Sequence, residues 1–273
     1  MHPTDESLIK SGRTFYGVCM AALGIQQLFY ASFRSVFLPP WPAGFPGLAV
    51  CAYLASASLI VAGMSIVVEK KARAVALVLG GMLLVLFGFC HVPYMIFVNP
   101  CSSHLGVWTD PLKALALAGG AFVVAGSFPE AKANTGDRSL LIRLLETLIP
   151  VGGVFFSLTM IAFGIDHFLY TEFAAKLVPA WIPGHTFWTY FAGVALIGAG
   201  VAIITRIKLK VVGMLLGTMI FLWFVLLHIP RAIADPFIGE GNEVTSAFEA
   251  LGFSGIAFVL ANGVRRREKV SRS

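Results

Sequence analysis

The chain has 273 residues, of which 58% are hydrophobic and 12% charged, with 20 Lys or Arg against 14 Asp or Glu, and its mean hydropathy is +0.84. A soluble domain carries about 25% charged residues, so a water-facing globular fold is excluded and lipid must be the solvent for most side chains. The formal charge of +6 does not point to nucleic acid, because the basic residues stand in short clusters beside apolar runs, without a recognition motif.

In hydrocarbon every backbone polar group must be bonded within its own helix, which takes about 20 apolar residues per span. The expected fold is therefore all-α and integral to the membrane, with eight transmembrane helices. The first covers about 14–33, a stretch without Asp, Glu, Lys or Arg, and the breakers Pro39, Pro40, Pro42 and Pro46 follow it. Helices at about 47–68, 74–98 and 112–127 complete a first unit, 1–127. The polar stretch 128–146, with Asn134, Thr135, Gly136 and Asp137, reads as a cytoplasmic linker. Helices at about 147–168, 187–205, 211–229 and 247–264 form a second unit, 147–264, and 265–273 is a basic tail. Lys113 and Glu249 stand near the starts of the fourth and eighth helices, from where a charge can reach the headgroups. The first helix is too long for a signal peptide and resembles the fifth, so it is expected to remain.

Loop charge sets the orientation. Sixteen basic residues lie in the N-terminus, the C-terminus and the loops after helices two, four and six; the other loops hold only Arg34, Lys113, Lys176 and Arg231. Both termini are expected in the cytoplasm, in a cell's inner membrane, with Arg265, Arg266, Arg267 and Lys269 against anionic headgroups.

The units repeat one another. Ala22, Gly24, Ile25, Tyr30, Phe33, Pro39 and Trp41 recur 140 residues later as Ala162, Gly164, Ile165, Tyr170, Phe173, Pro179 and Trp181. Tyr53, Gly63, Gly80, His91 and Pro93 recur 137 later as Tyr190, Gly200, Gly217, His228 and Pro230, and Pro100, Ala114, Leu115, Gly119 and Phe122 recur 136 later. Four helices per copy is an even number, so the copies form a parallel repeat of two four-helix bundles, both entering from the cytoplasm. The pattern Gly-Ile-Asp-His-Phe, then Leu-Val-Pro-Ala-Trp-Ile-Pro, then a Gly-rich helix and one ending His-Ile-Pro-Arg resembles the DoxX-like family over both copies. That resemblance implies a duplicated four-helix bundle and an association with membrane redox complexes, including quinone-linked sulfur oxidation.

Ionisable residues inside spans are where function is sought first. His91 and His228 each lie 18 residues beyond a basic residue, Arg73 and Lys210, which at about 1.5 Å per residue puts both near the outer face. Gln26, Gln27, Asp166 and His167 fall at similar height beside Tyr30, Tyr170 and the interface markers Trp41 and Trp181, so one polar layer is expected. The histidines could serve as a matched pair of ligands to haem or metal, or bond a quinone headgroup. Alternatively each fastens helix three to helix one in its own copy, His91 to Gln27 and His228 to Asp166 or His167. No metal-ligand spacing accompanies them, so no metal site is expected. Asp166 and Arg231 replace the neutral Gln26 and Tyr94 of the first copy, and are expected to pair.

The four cysteines show no C-x-x-C, and a disulfide among Cys51, Cys90 and Cys101 is left open. Nothing in the sequence specifies a reaction. The reading preferred is a membrane subunit or interaction protein supporting a quinone-linked redox process, its partners being the bilayer and other redox-complex subunits. Quinone is preferred to haem as cofactor. The alternatives are a carrier of lipid or small molecules with a cavity between the repeats, or a haem-binding oxidoreductase.

Overall fold

The computed structural model describes residues 3–40, 46–129 and 139–270, with side chains from Glu6 to Asn262. Trp41, Pro42, Asn134 to Asp137 and the side chains of the basic tail lie outside the described residues. Among those described, every regular element is helical. Seven segments are long and apolar enough to cross a membrane: Leu48–Val67, Ala72–Phe97, Leu105–Ser127, Leu140–Leu169, His185–Ile204, Leu209–Ala234 and Ile238–Asn262.

The first helix, α1 (Pro3–Tyr30), begins and ends earlier than expected, and its apolar middle is flanked by Arg13 and the Gln26–Gln27 pair. It is followed by α2 (Leu48–Val67) and α3 (Ala72–Leu86), then by α4 (Val92–Phe97) and α5 (Thr109–Ser127). The stretch read as linker contains α6 (Leu140–Glu146), capped by Ser139, whose hydroxyl accepts from the Ile142 N–H. Leu145 of α6 packs over Gly81 of α3, while Leu140, Leu141 and Leu144 are exposed, the pattern of a short helix lying at a lipid interface. The remaining helices are α7 (Gly152–Leu169), α8 (Thr171–Leu177), α9 (His185–Ile204), α10 (Leu209–Trp223), α11 (Ile229–Ala234) and α12 (Asn242–Val270).

Each expected third helix is interrupted. A single π-helical turn, Phe87–His91, joins α3 to α4, and another, Phe224–His228, joins α10 to α11. Pro93 and Pro230 explain both, because proline has no N–H to donate and its ring collides with the carbonyl one turn back, so the helix widens there. The two turns start 137 residues apart, as do the left-handed pairs Gly47 and Gly184, Glu69 and Arg206, and Lys71 and Lys208.

Packing crosses the boundary between the units. α1 lies against α12 as extensively as against α2, and α7 lies against α5 as well as α9. These cross contacts are close because glycines face glycines: a Cβ on Gly12 would come 2.6 Å from the Gly255 carbonyl oxygen, and one on Gly152 would come 2.6 Å from that of Gly119. α5 and α12 also touch each other and are the most enclosed helices, α12 having 83% of its span buried. Their Ala- and Gly-rich sequences permit this, since small side chains let several neighbours approach at once. The outward surface is the reverse: Phe29, Leu54, Phe89, Phe97 and Leu215 are exposed, as a lipid-solvated rim requires.

Two ends can be distinguished. At one, Arg13 meets Ser127 and Glu69 (3.1 Å), and Arg73 meets Glu146 (2.9 Å), so the ends of α1, α2, α3, α5 and α6 that carry the basic loops come together. At the other, α1 is tied to the start of α12, and the Tyr170 hydroxyl accepts the Gly106 N–H.

Candidate functional site

Among the described residues, the end opposite the basic loops holds His91, His228, Gln26, Gln27, Asp166, His167, Tyr30 and Tyr170, but with partners other than those expected. His91 is buried and its Nε2 donates to the Val36 carbonyl at 3.1 Å, in the loop after α1. Gln27 is not its partner: Gln27 Nε2 donates to the Ala52 carbonyl (3.0 Å) and its Oε1 accepts the Arg34 N–H (3.2 Å), closing the first outer loop onto α2. A glutamine amide carries a donor and an acceptor on one group, so Gln27 satisfies two backbone groups at once. Gln26 crosses between units, donating to the Gly241 carbonyl (2.6 Å) and accepting from the Thr245 hydroxyl (2.7 Å), while Gly241 packs on Tyr30. Arg34 bonds the Glu240 backbone carbonyl, pairs with its carboxylate at 2.7 Å and lies over the Tyr30 ring.

In the second unit the expected pairing of Asp166 with Arg231 is not made. Arg231 instead grips Glu243 through two bonds of 2.6 and 2.8 Å. The reason is positional: α11 packs on the start of α12, and Glu243, replacing Val107 of the first unit, meets Arg231 there. His167 Nδ1 donates to the Phe163 carbonyl of its own helix at 2.7 Å, so neither it nor Asp166 fastens His228. Asp166 Oδ1 and His228 Nδ1 are buried without a hydrogen-bond partner among the described residues.

The centre of this end is a cluster that reading along the chain does not reveal. Lys113 of α5 and Glu249 of α12 do not reach outward to headgroups; they meet each other at 2.9 Å with side chains 14% and 2% exposed. Asp110, one helical turn before Lys113, stands 3.3 Å from the same ammonium. The contact with Glu249 is ionic, since neither of its carboxylate oxygens accepts a well-directed hydrogen bond among the described residues. Lys113 and Glu249 are matched positions at the 136-residue spacing. Matched positions that touch one another behave as residues on a twofold axis do, and identical copies would set Lys against Lys; opposite charges remove that repulsion. Gly120 and Ile256, matched at the same spacing, also meet, the smaller residue making room for the larger.

His228 lies within electrostatic reach of Lys113, Glu243 and Arg231, and His91 within reach of Asp110. Charges enclosed in protein and lipid interact far more strongly than in water and are costly to leave unpaired. The arrangement encloses one cation between two carboxylates and leaves His228 Nδ1 and Asp166 Oδ1 without partners among the described residues. Among the described residues no group of three His, Cys, Asp or Glu is arranged to hold a metal ion. All four cysteines are free thiols, Cys19 buried beside Gly252 and Cys101 exposed, so the disulfide left open is not formed. The signal that could have found Lys113 and Glu249 was in the repeat alignment: opposite charges at one matched position inside two apolar helices.

A family model described as a domain of unknown function (DUF8561) matches residues 156–236. That stretch runs from within α7 to just past α11; it contains Asp166, His167, Tyr170, His228 and Arg231 and stops short of Glu243 and Glu249. No curated protein and no solved structure matches the chain.

Proposed function

We propose that this chain is an eight-span inner-membrane protein of DoxX-like type, a parallel duplication of a four-helix unit with both termini in the cytoplasm. In this reading it supports a quinone-linked redox process as a membrane subunit, its outer charge cluster meeting the quinone headgroup. The observation that carries the reading is the enclosed Asp110–Lys113–Glu249 group with the unpartnered His228 Nδ1 and Asp166 Oδ1 at the same end. A quinone carbonyl accepts a hydrogen bond from a histidine N–H, and quinone reduction takes up protons that a buried carboxylate can pass on. The repeated π turns and left-handed turns support the duplication, and α1, with one buried cation at its start, supplies the eighth span.

The test is organic extraction of protein purified in mild detergent. Stoichiometric quinone is expected from the native chain and a several-fold loss from His228→Leu, with the gel-filtration profile unchanged. Native protein without quinone, after growth in cells that make it, overturns the assignment. Orientation is tested separately. In a variant keeping only Cys101, which is exposed, a membrane-impermeant maleimide is expected to label intact cells; labelling only after permeabilisation reverses the topology.

A second reading, binding of lipid or another apolar molecule, is favoured by one observation. A cavity lies between the units at the basic-loop end, away from the charge cluster.

A further inference from the structure

The cavity measures about 180 Å³ and is lined by α5, α7, α9, α10 and α12, with Ile149, Val154, Ile203, Leu209, Val259 and Leu260 supplying apolar walls. It lies between the units, and its lining includes Gly153 and Arg206, the residues matched to Arg13 and Glu69 of the first unit, together with Ser127, the partner of Arg13 itself. Arg13 is enclosed in the first unit, its guanidinium bonded to Ser127 and Glu69 and stacked 3.8 Å from the Phe128 ring centroid. The residue matched to Arg13 is Gly153, which lines the cavity and contributes no side chain to fill it. The residue matched to Glu69 is Arg206, also a lining residue. Both adopt the same left-handed backbone, φ 57 and 58°, so their side chains leave equivalent turns in equivalent directions.

The first unit thus has an internal cation facing an anionic rim. The second has the inverse: no internal group, and a cation on the rim. We propose that this cavity is a binding site for an acidic phospholipid, its acyl chain between Gly153 and the apolar walls and its phosphate on Arg206. The headgroup supplies the negative charge that Arg206 lacks among the described residues, as Glu69 supplies it to Arg13. The rim belongs to the end that bears the basic loops, and such loops face the leaflet that holds anionic lipid. The chain's own basic tail has the wrong sign to complement Arg206. This proposal is independent of the quinone reading, since it concerns the opposite end of the bundle.

The test compares retained lipid on the full-length protein by native mass spectrometry, after reconstitution with phosphatidylglycerol or phosphatidylcholine. The native chain is expected to retain phosphatidylglycerol about five-fold better, the worth of one interfacial basic residue. In Arg206→Glu the preference should vanish. The double variant Gly153→Arg with Arg206→Glu transplants the Arg13–Glu69 pair and should expel both lipids. Equal retention of the two lipids by the native chain overturns the proposal, as does a phosphatidylglycerol preference that survives the double variant. Should that variant not fold, Gly153→Leu, whose Cβ would meet only side-chain atoms of Leu260 (3.2 Å) and Ile203 (3.7 Å), must lower retention of both lipids. Unchanged retention there also overturns it, as does release of bound lipid by inorganic phosphate.

Discussion

Lys113→Leu is expected to destabilise the protein by about 3–5 kcal/mol, because it leaves Glu249, 2% exposed, as an uncompensated charge in the centre of the fold. Glu249→Leu should cost less. Lys113 then keeps Asp110 at 3.3 Å, whereas Glu249 has no second cation in contact. Replacing both residues by Leu removes the desolvation cost together with the attraction, and hydrophobic substitution of a whole buried pair is often neutral. The double variant is thus expected to melt close to the native protein, and above Lys113→Leu. Thermal denaturation in detergent, read by loss of the monodisperse gel-filtration peak, checks the order. A double variant no more stable than Lys113→Leu would show that the site does not act as an isolated pair. The same variants bear on function: if Glu249 passes protons to a quinone, the Leu pair should fold yet lose redox support in cells.

Widening the contact between α5 and α7 should have an effect of similar size. Gly119→Val places a β-branched side chain where the Gly152 carbonyl, the Phe155 Cβ and the Phe156 nitrogen already stand, and none of these atoms can rotate away. Overpacking of this kind costs about 1–3 kcal/mol where neighbours can yield, and the upper end is expected here. The matched change Gly255→Val, which presses on the Gly12 carbonyl, should behave alike. Gly88 is the control. A Cβ there meets nothing within 4 Å, so Gly88→Ala should leave stability unchanged or raise it slightly, as alanine favours helix. If Gly119→Val and Gly88→Ala melt together, the units are not held by those glycine contacts.

Several site residues could be named from the sequence, but their partners could not. Counting residues up a helix gives His91 a height but not a partner. That its imidazole bonds Val36 rather than Gln27 depends on how the first outer loop folds back, and nothing periodic in the sequence reports that. The contrast between the units predicts a pair of Asp166 with Arg231, whereas Arg231 pairs with Glu243. The deciding difference is a third changed position, Glu243 in place of Val107, which no local pattern links to Arg231. Snorkelling of Lys113 and Glu249 is the expectation for a helix facing lipid; it fails here because α5 and α12 lie against each other and are the most enclosed helices.

Hydropathy is a property of each segment by itself, so the sequence alone determined that the chain is rich in helices apolar enough to cross a membrane, and which of its residues recur at a fixed spacing. Proline chemistry is equally local, although the π turns it causes were not foreseen. Partnership between helices belongs to faces rather than segments. Ala- and Gly-rich surfaces such as those of α5 and α12 fit several neighbours almost equally well, and the choice among them is made only when all helices pack at once. That choice set α1 on α12 and α7 on α5 across the boundary of the units, closed Lys113 onto Glu249, and left a cavity beside Gly153, the residue matched to Arg13.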